Sequence, residues 1–230
     1  MSRGKRRPLL HRGIKAPRVH PCAPFDKNNG RATDRALSLE SESLMLDFFT
    51  TLEFDFNIAY FQRQPVEVGY LDSRGTQQSF CPEFLITYRQ DITPAKSMKP
   101  LLCDVLTRTD IIHYWPDFKN RVRSANKYAR ARKWTYRVLT EREIRTPFLQ
   151  NAQLLLPYRS LRAPAGVGPV LLDGLQRLGR VKVKTLLDNC SLSGIDLATL
   201  GTVLYRLIAL GWIETNLRQP FSMQSDVWFD

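Results

Sequence analysis

Residues 101–107, Leu-Leu-Cys-Asp-Val-Leu-Thr, constrain the chain more than any other stretch. An apolar run this dense predicts a central strand covered on both faces, the habit of sheets sandwiched between helices. Its period of two places Asp104 and Leu106 on one face. An ionised carboxylate in such surroundings is very costly unless it is paired or holds a cation. Glu83 lies mid-strand in the hairpin expected alongside. Two carboxylates on adjacent strands, with a third from the opening helix, could hold a divalent metal through oxygen ligands. Such an ion activates water and stabilises a phosphoryl transition state. The plainer alternative is a strand-end aspartate bonded to backbone or paired with an arginine, and the pattern alone leaves both open.

The flanking segments supply the rest of an α/β layer. Residues 39–52 predict an amphipathic helix behind Ser38, with Leu44, Phe48 and Leu52 as its apolar face. Extended runs at 59–62 and 66–71 lead into the turn Asp72-Ser-Arg-Gly75, and residues 80–88 predict the returning strand. Pro116 suits a first helical turn, after which Phe118, Val122, Ala125 and Ala129 form an inward stripe. Residues 133–139 read as the next strand, and Thr140 with Glu143 has capping-box spacing ahead of a further helix. The order helix, hairpin, strand, helix, strand predicts an α/β core with a mixed sheet.

Charge divides the chain. Lys and Arg number 34 against 22 Asp and Glu, a net charge of +12 in 230 residues. From residue 166 onward six basic residues face six acidic ones, so the whole excess lies earlier. The first twenty residues hold seven basic side chains and no acid, and 119–133 hold seven more, again without an acid. An excess of this kind predicts a polyanionic partner, with Lys119, Arg121, Arg123, Lys127 and Arg130 placed to contact DNA phosphates. A solvated helix face is the ordinary alternative. The Gly- and Pro-rich stretch 162–169 marks the break. The expected organisation is a flexible basic arm over 1–35, a core domain over 36–161, a linker over 162–169 and a small domain over 170–230. Four scattered Cys and three His exclude a zinc cluster. No apolar run approaches a bilayer span, so a cytoplasmic protein with no membrane partner is expected.

Several ordered pieces carry a family resemblance. Leu52-Glu-Phe-Asp-Phe56, Phe61-Gln-Arg-Gln-Pro-Val66, Cys81-Pro-Glu-Phe-Leu85, Leu102-Cys-Asp-Val-Leu106 and Tyr136-Arg-Val-Leu-Thr-Glu-Arg-Glu-Ile144 resemble stretches of TnsA-type endonucleases, over roughly residues 38–160. The resemblance implies a restriction-endonuclease-like fold of the PD-(D/E)xK type, followed by a small helical domain. It implies Mg²⁺-dependent cleavage of the 5′ strands at transposon ends. The implied partners are transposon-end DNA, a TnsB-like DDE transposase and a TnsC-like AAA+ ATPase. The family's strand aspartate falls on Glu83, its second acid on Asp104 and its lysine on Leu106. The helix glutamate falls near Met45, with Glu42 the nearest acid. Glu42, Glu83, Asp104 and Lys127 are therefore the candidate catalytic residues, Glu83 and Asp104 the candidate metal ligands, and Lys127 or Lys99 the candidate stand-in for the lysine. The alternative is a nuclease-dead adaptor that binds DNA and bridges transposase and regulator. Outside the family, a basic DNA-binding protein fits the charge.

Residues 169–178, 183–189 and 196–210 predict three helices, the last behind Ser193 and stopped at Gly211, with 212–217 as a wing. That is a winged-helix-like pattern. The third helix offers Thr199, Thr202 and Arg206 outward, few of the side chains that read bases. With no net charge, this domain is expected to dock protein.

Overall fold

A computed structural model describes residues 18–19, 39–92, 94–113 and 115–229. Of the 1–35 arm only Arg18–Val19 is described, as strand β1; the rest of that stretch lies outside the described residues.

Helix α1 (Leu39–Phe54) buries Leu44, Phe48 and Leu52, the three expected residues. Its expected cap, Ser38, lies outside the described residues. Strands β2 (Ile58–Arg63), β3 (Val68–Leu71), β4 (Gln77–Phe80) and β5 (Phe84–Tyr88) follow. Here the structure corrects the sequence reading. Residues 80–88 are not one strand: β4 returns on β3 in a two-stranded sheet, whereas β5 pairs antiparallel with β2. Cys81-Pro82 breaks the run, because proline has no N–H for a ladder. The turn holds as expected. Asp72 accepts from the N–H groups of Arg74 and Thr76, and Gly75 takes the positive φ of 80°.

Strand β6 (Leu101–Val105) lies between β5, antiparallel, and β7 (Thr135–Leu139), parallel. The five-stranded order is β1-β2-β5-β6-β7, a mixed sheet. Two helices connect β6 to β7. The short α2 (Arg108–His113) has no counterpart in the sequence reading; α3 (Trp115–Ala131) buries Phe118, Ala125 and Ala129. Alternation then sorts the side chains. Phe84, Ile86, Cys103 and Val105 pack with α1 on one face; Leu85, Leu102 and Tyr136 pack with Ala125 and Ala129 of α3 on the other. The hairpin β3–β4 covers part of that second face through Val68 and Phe80.

The capping box at Thr140 and Glu143 forms as expected and starts α4 (Glu141–Ile144). Pro147 opens a separate helix, α5 (Pro147–Leu155), continued by a 3₁₀ turn at Leu156–Arg159. The remaining chain runs α6 (Val167–Leu178), β8 (Val181–Lys182), α7 (Val183–Ser191), α8 (Leu197–Ala209), β9 (Glu214–Thr215) and β10 (Asp226–Trp228). Helix α6 thus starts within the glycine- and proline-rich stretch. Its strands form an antiparallel sheet in the order β8-β10-β9. Asp196, not Ser193, caps α8, accepting from the Thr199 N–H at 2.8 Å. The core of this unit joins Leu171, Leu175, Leu186, Leu200, Leu204 and Val227, and it takes in Phe54 of α1 with Ala152 and Leu155 of α5.

Polar bonds fasten the same seam. Arg159 donates to the carbonyls of Glu53, Phe54 and Ala209 at 2.8–2.9 Å. Burial pushes its guanidinium below the usual arginine range. Asn151, buried on α5, donates to the carbonyls of Leu217 and Gln219 and accepts from the Phe221 N–H. Arg206 points back at the 3₁₀ turn, donating to the carbonyls of Tyr158 and Arg159 rather than facing outward.

Candidate active site

Glu83 sits one residue before β5, and Asp104 is the fourth residue of β6. Phe84 pairs with Cys103, so one step further along these antiparallel strands Glu83 stands opposite Asp104. Each carboxylate accepts from a backbone N–H of the neighbouring strand segment. The Glu83 N–H donates to Asp104 Oδ1 at 3.2 Å, and the Val105 N–H donates to Glu83 Oε2 at 3.0 Å. Asp104 is only 4 % exposed. Its Oδ2 accepts from the Tyr136 hydroxyl at 2.6 Å, a short bond of the kind charged acceptors form.

Electrostatics mark the pair as strained. Burial first, and then the charge of Asp104, pushes the Glu83 carboxyl up to about 8, despite Arg63 and Arg121 nearby. The Tyr136 hydroxyl is pushed far above the usual tyrosine range by burial and by Asp104. Burial, followed by the same two carboxylates, raises the Cys103 thiol well above its ordinary value. Among the described residues no cluster of three or more His, Cys, Asp or Glu forms a metal cage. The pair alone nevertheless has the right chemistry: two hard oxygen donors of like charge, one driven toward its neutral form by the other, fit a divalent cation such as Mg²⁺.

The remaining candidates fall elsewhere. Glu42 is exposed near the start of α1, the helix that covers the opposite face of the sheet from Asp104. Met45, one turn on, is closer to the pair's surroundings: Arg63 Nη2 lies 3.8 Å from its sulfur, and Arg63 is one of the charges felt by Glu83. Lys127 is exposed on α3 and Lys99 is exposed before β6. Arg121, by contrast, is among the charges that act most on Glu83. Leu106 is 3 % exposed, an apolar side chain at the position where the resemblance places a lysine. Lys119, Arg123, Lys127 and Arg130 form an exposed row on α3, while Arg121 is half-buried.

Tyr136 was not anticipated. The signal was there, since the period of two in β7 puts Tyr136 and Val138 on one face. Arg121 was anticipated only as a backbone contact. Its spacing from Phe118 and Ala125 sets it at the margin of the buried stripe, whereas Lys127 lies well outside it.

With this geometry in place, the comparison with known families becomes specific. The model for the TnsA-like endonuclease N terminal matches residues 55–141, which span β2 to the start of α4 and include Glu83, Asp104, Arg121 and Tyr136. Over these residues the chain is similar to the TnsA-like endonuclease N-terminal domain. No curated protein matches the chain as a relative. The mixed sheet with helices on both faces agrees with the restriction-endonuclease-like fold implied by that family. Among the described residues no helix is long and apolar enough to cross a membrane.

Proposed function

We propose that this TnsA-like protein is a subunit of a heteromeric transposase and cuts the 5′ strands at transposon ends with Mg²⁺. The observation that carries the reading is the meeting of Glu83 and Asp104 across β5 and β6, inside the segment that matches the endonuclease family. Glu83 and Asp104 would hold the ion. When bound, it supplies a polarised phosphate and an activated water. The chain's own residues do the rest. Tyr136 holds the Asp104 carboxylate in one orientation through Oδ2. Glu83 carries a proton on its carboxyl up to about pH 8, so cation binding at neutral pH releases that proton. The exposed row Lys119, Arg123, Lys127 and Arg130 on α3 supplies phosphate contacts that position a duplex without reading it.

The same reading makes a TnsB-like DDE transposase and a TnsC-like AAA+ ATPase the partners, and places the protein in the cytoplasm on nucleoid DNA. The C-terminal unit, with its order of helix, strand, two helices and two strands, supports a winged-helix-like docking module. Leu197 and Thr202 on α8 are exposed and no basic residue is among the exposed side chains of that helix, which favours a protein partner over DNA.

A nuclease-dead adaptor is the second reading, favoured by the buried Leu106 at the family's lysine position. Labelled transposon-end DNA, incubated with the transposase and Mg²⁺, separates the two. Cutting predicts a 5′-strand product from the wild type and a rate at least ~100-fold lower for Asp104→Asn. Equal products from both proteins, or none from either, assign the adaptor role.

A further inference from the structure

Arg121 has an unmet need beside the carboxylate pair. It follows Phe118 by three residues and precedes Ala125 by four, so it flanks the buried face of α3. Its guanidinium carbon lies 4.3 Å from the ring centroid of Phe80 in β4, a stacked position that fixes the plane of the fork. Its Nε is enclosed and has no hydrogen-bond partner among the described residues. An enclosed N–H without an acceptor carries the full desolvation cost of the group. Its Nη groups, which are not enclosed, are the ones an acceptor arriving from outside can reach. The charge acts on Glu83, on Tyr136 and on Cys81, which places it on the α3 side of the pair. Among the described residues no ion pair draws it onto Glu83.

We propose that Arg121 is the phosphate-binding cation of the Glu83–Asp104 site, the terminal Nη–H groups of its fork donating to the non-bridging oxygens of a DNA phosphodiester. This rests on the endonuclease reading and deepens it, by naming the side chain that supplies the positive charge missing at Leu106. Two parallel N–H groups match a phosphate edge in a way that a single ammonium does not. The charge comes from a helix over the sheet rather than from the strand that carries the carboxylate.

The test uses the full chain, a fluorescently labelled duplex of transposon-end sequence, and two arms. In the first, duplex affinity is measured against salt concentration in Ca²⁺. Arg121→Gln lowers the slope of log K against log[salt] by about one, the signature of a lost phosphate contact. A wild-type slope overturns the proposal whatever happens to cleavage. In the second, single-turnover cleavage is followed in Mg²⁺ with saturating duplex and the transposase present. Arg121→Gln slows it ~100-fold. Wild-type cleavage with an unchanged rate in the variant overturns the site assignment and leaves the endonuclease reading standing. If the wild type never cuts, the cutting role fails, and the slope alone decides Arg121. Arg121→Lys keeps the charge without the fork and covers a glutamine variant that does not fold. It retains the slope and slows cleavage, and an unchanged rate overturns the proposal.

Discussion

At the scale of single residues, Glu83 sets a pH dependence with a definite sign. Its carboxyl holds a proton up to about pH 8 in the folded chain, against an ordinary value of 4.5. Between those limits the native state binds more protons than the unfolded state. Stability therefore falls as pH rises through that window, and the loss is complete above the folded value. Urea unfolding from pH 5 to pH 9 checks this; the expected drop attributable to Glu83 is on the order of 3 kcal/mol, and Glu83→Gln flattens it. The pair itself was legible in the sequence because strand alternation is a strict rule: Phe84, Ile86 and Tyr88 on one face leave Glu83 on the other, and Asp104 follows from the same count in β6. What surrounds the pair was not legible. The Tyr136 hydroxyl and the Arg121 fork arrive from β7 and α3, and their approach depends on how those elements pack.

Among elements, α6 and α7 pack closely at Gly174. A Cβ added at Gly174 would stand 2.9 Å from Cys190 Sγ and 3.2 Å from Leu186 Cδ1. Gly174→Ala is expected to destabilise the protein by about 1–3 kcal/mol, because overpacking a dense interface forces side chains from their rotamers. The shift of a chemical denaturation midpoint measures it; an unchanged midpoint would mean that the helices part freely. Helix positions were the easiest elements to read from sequence, since α3 and α8 carry apolar stripes with a period of 3.6. Breaks were harder. The end of β4 and all of β5 read as one run over 80–88 because only Pro82 interrupts the alternation, and the end of α4 was not legible because the capping box announces a start and not a stop. The six-residue α2 buries none of its residues fully, so it left no stripe to find.

For the molecule as a whole, Arg159 is the clasp. Three carbonyls accept from it, two at the end of α1 and one at the end of α8, and its guanidinium also lies 4.9 Å from the ring centroids of Phe54 and Phe56. Arg159→Gln strips donors from carbonyls along this seam, a loss of about 2–4 kcal/mol. Hydrogen exchange is expected to show faster opening of both α1's last turn and α8, not of one alone; protection lost from a single helix would contradict a shared clasp. Phe54 adds the apolar half of the same bond, standing on α1 while belonging to the core of the C-terminal unit. The unit is therefore not a detachable cassette. Any chimera that grafts residues 167–229 onto a foreign nuclease has to bring along α5 and a matching aromatic plug, and inheritance of the two halves is tied together for the same reason.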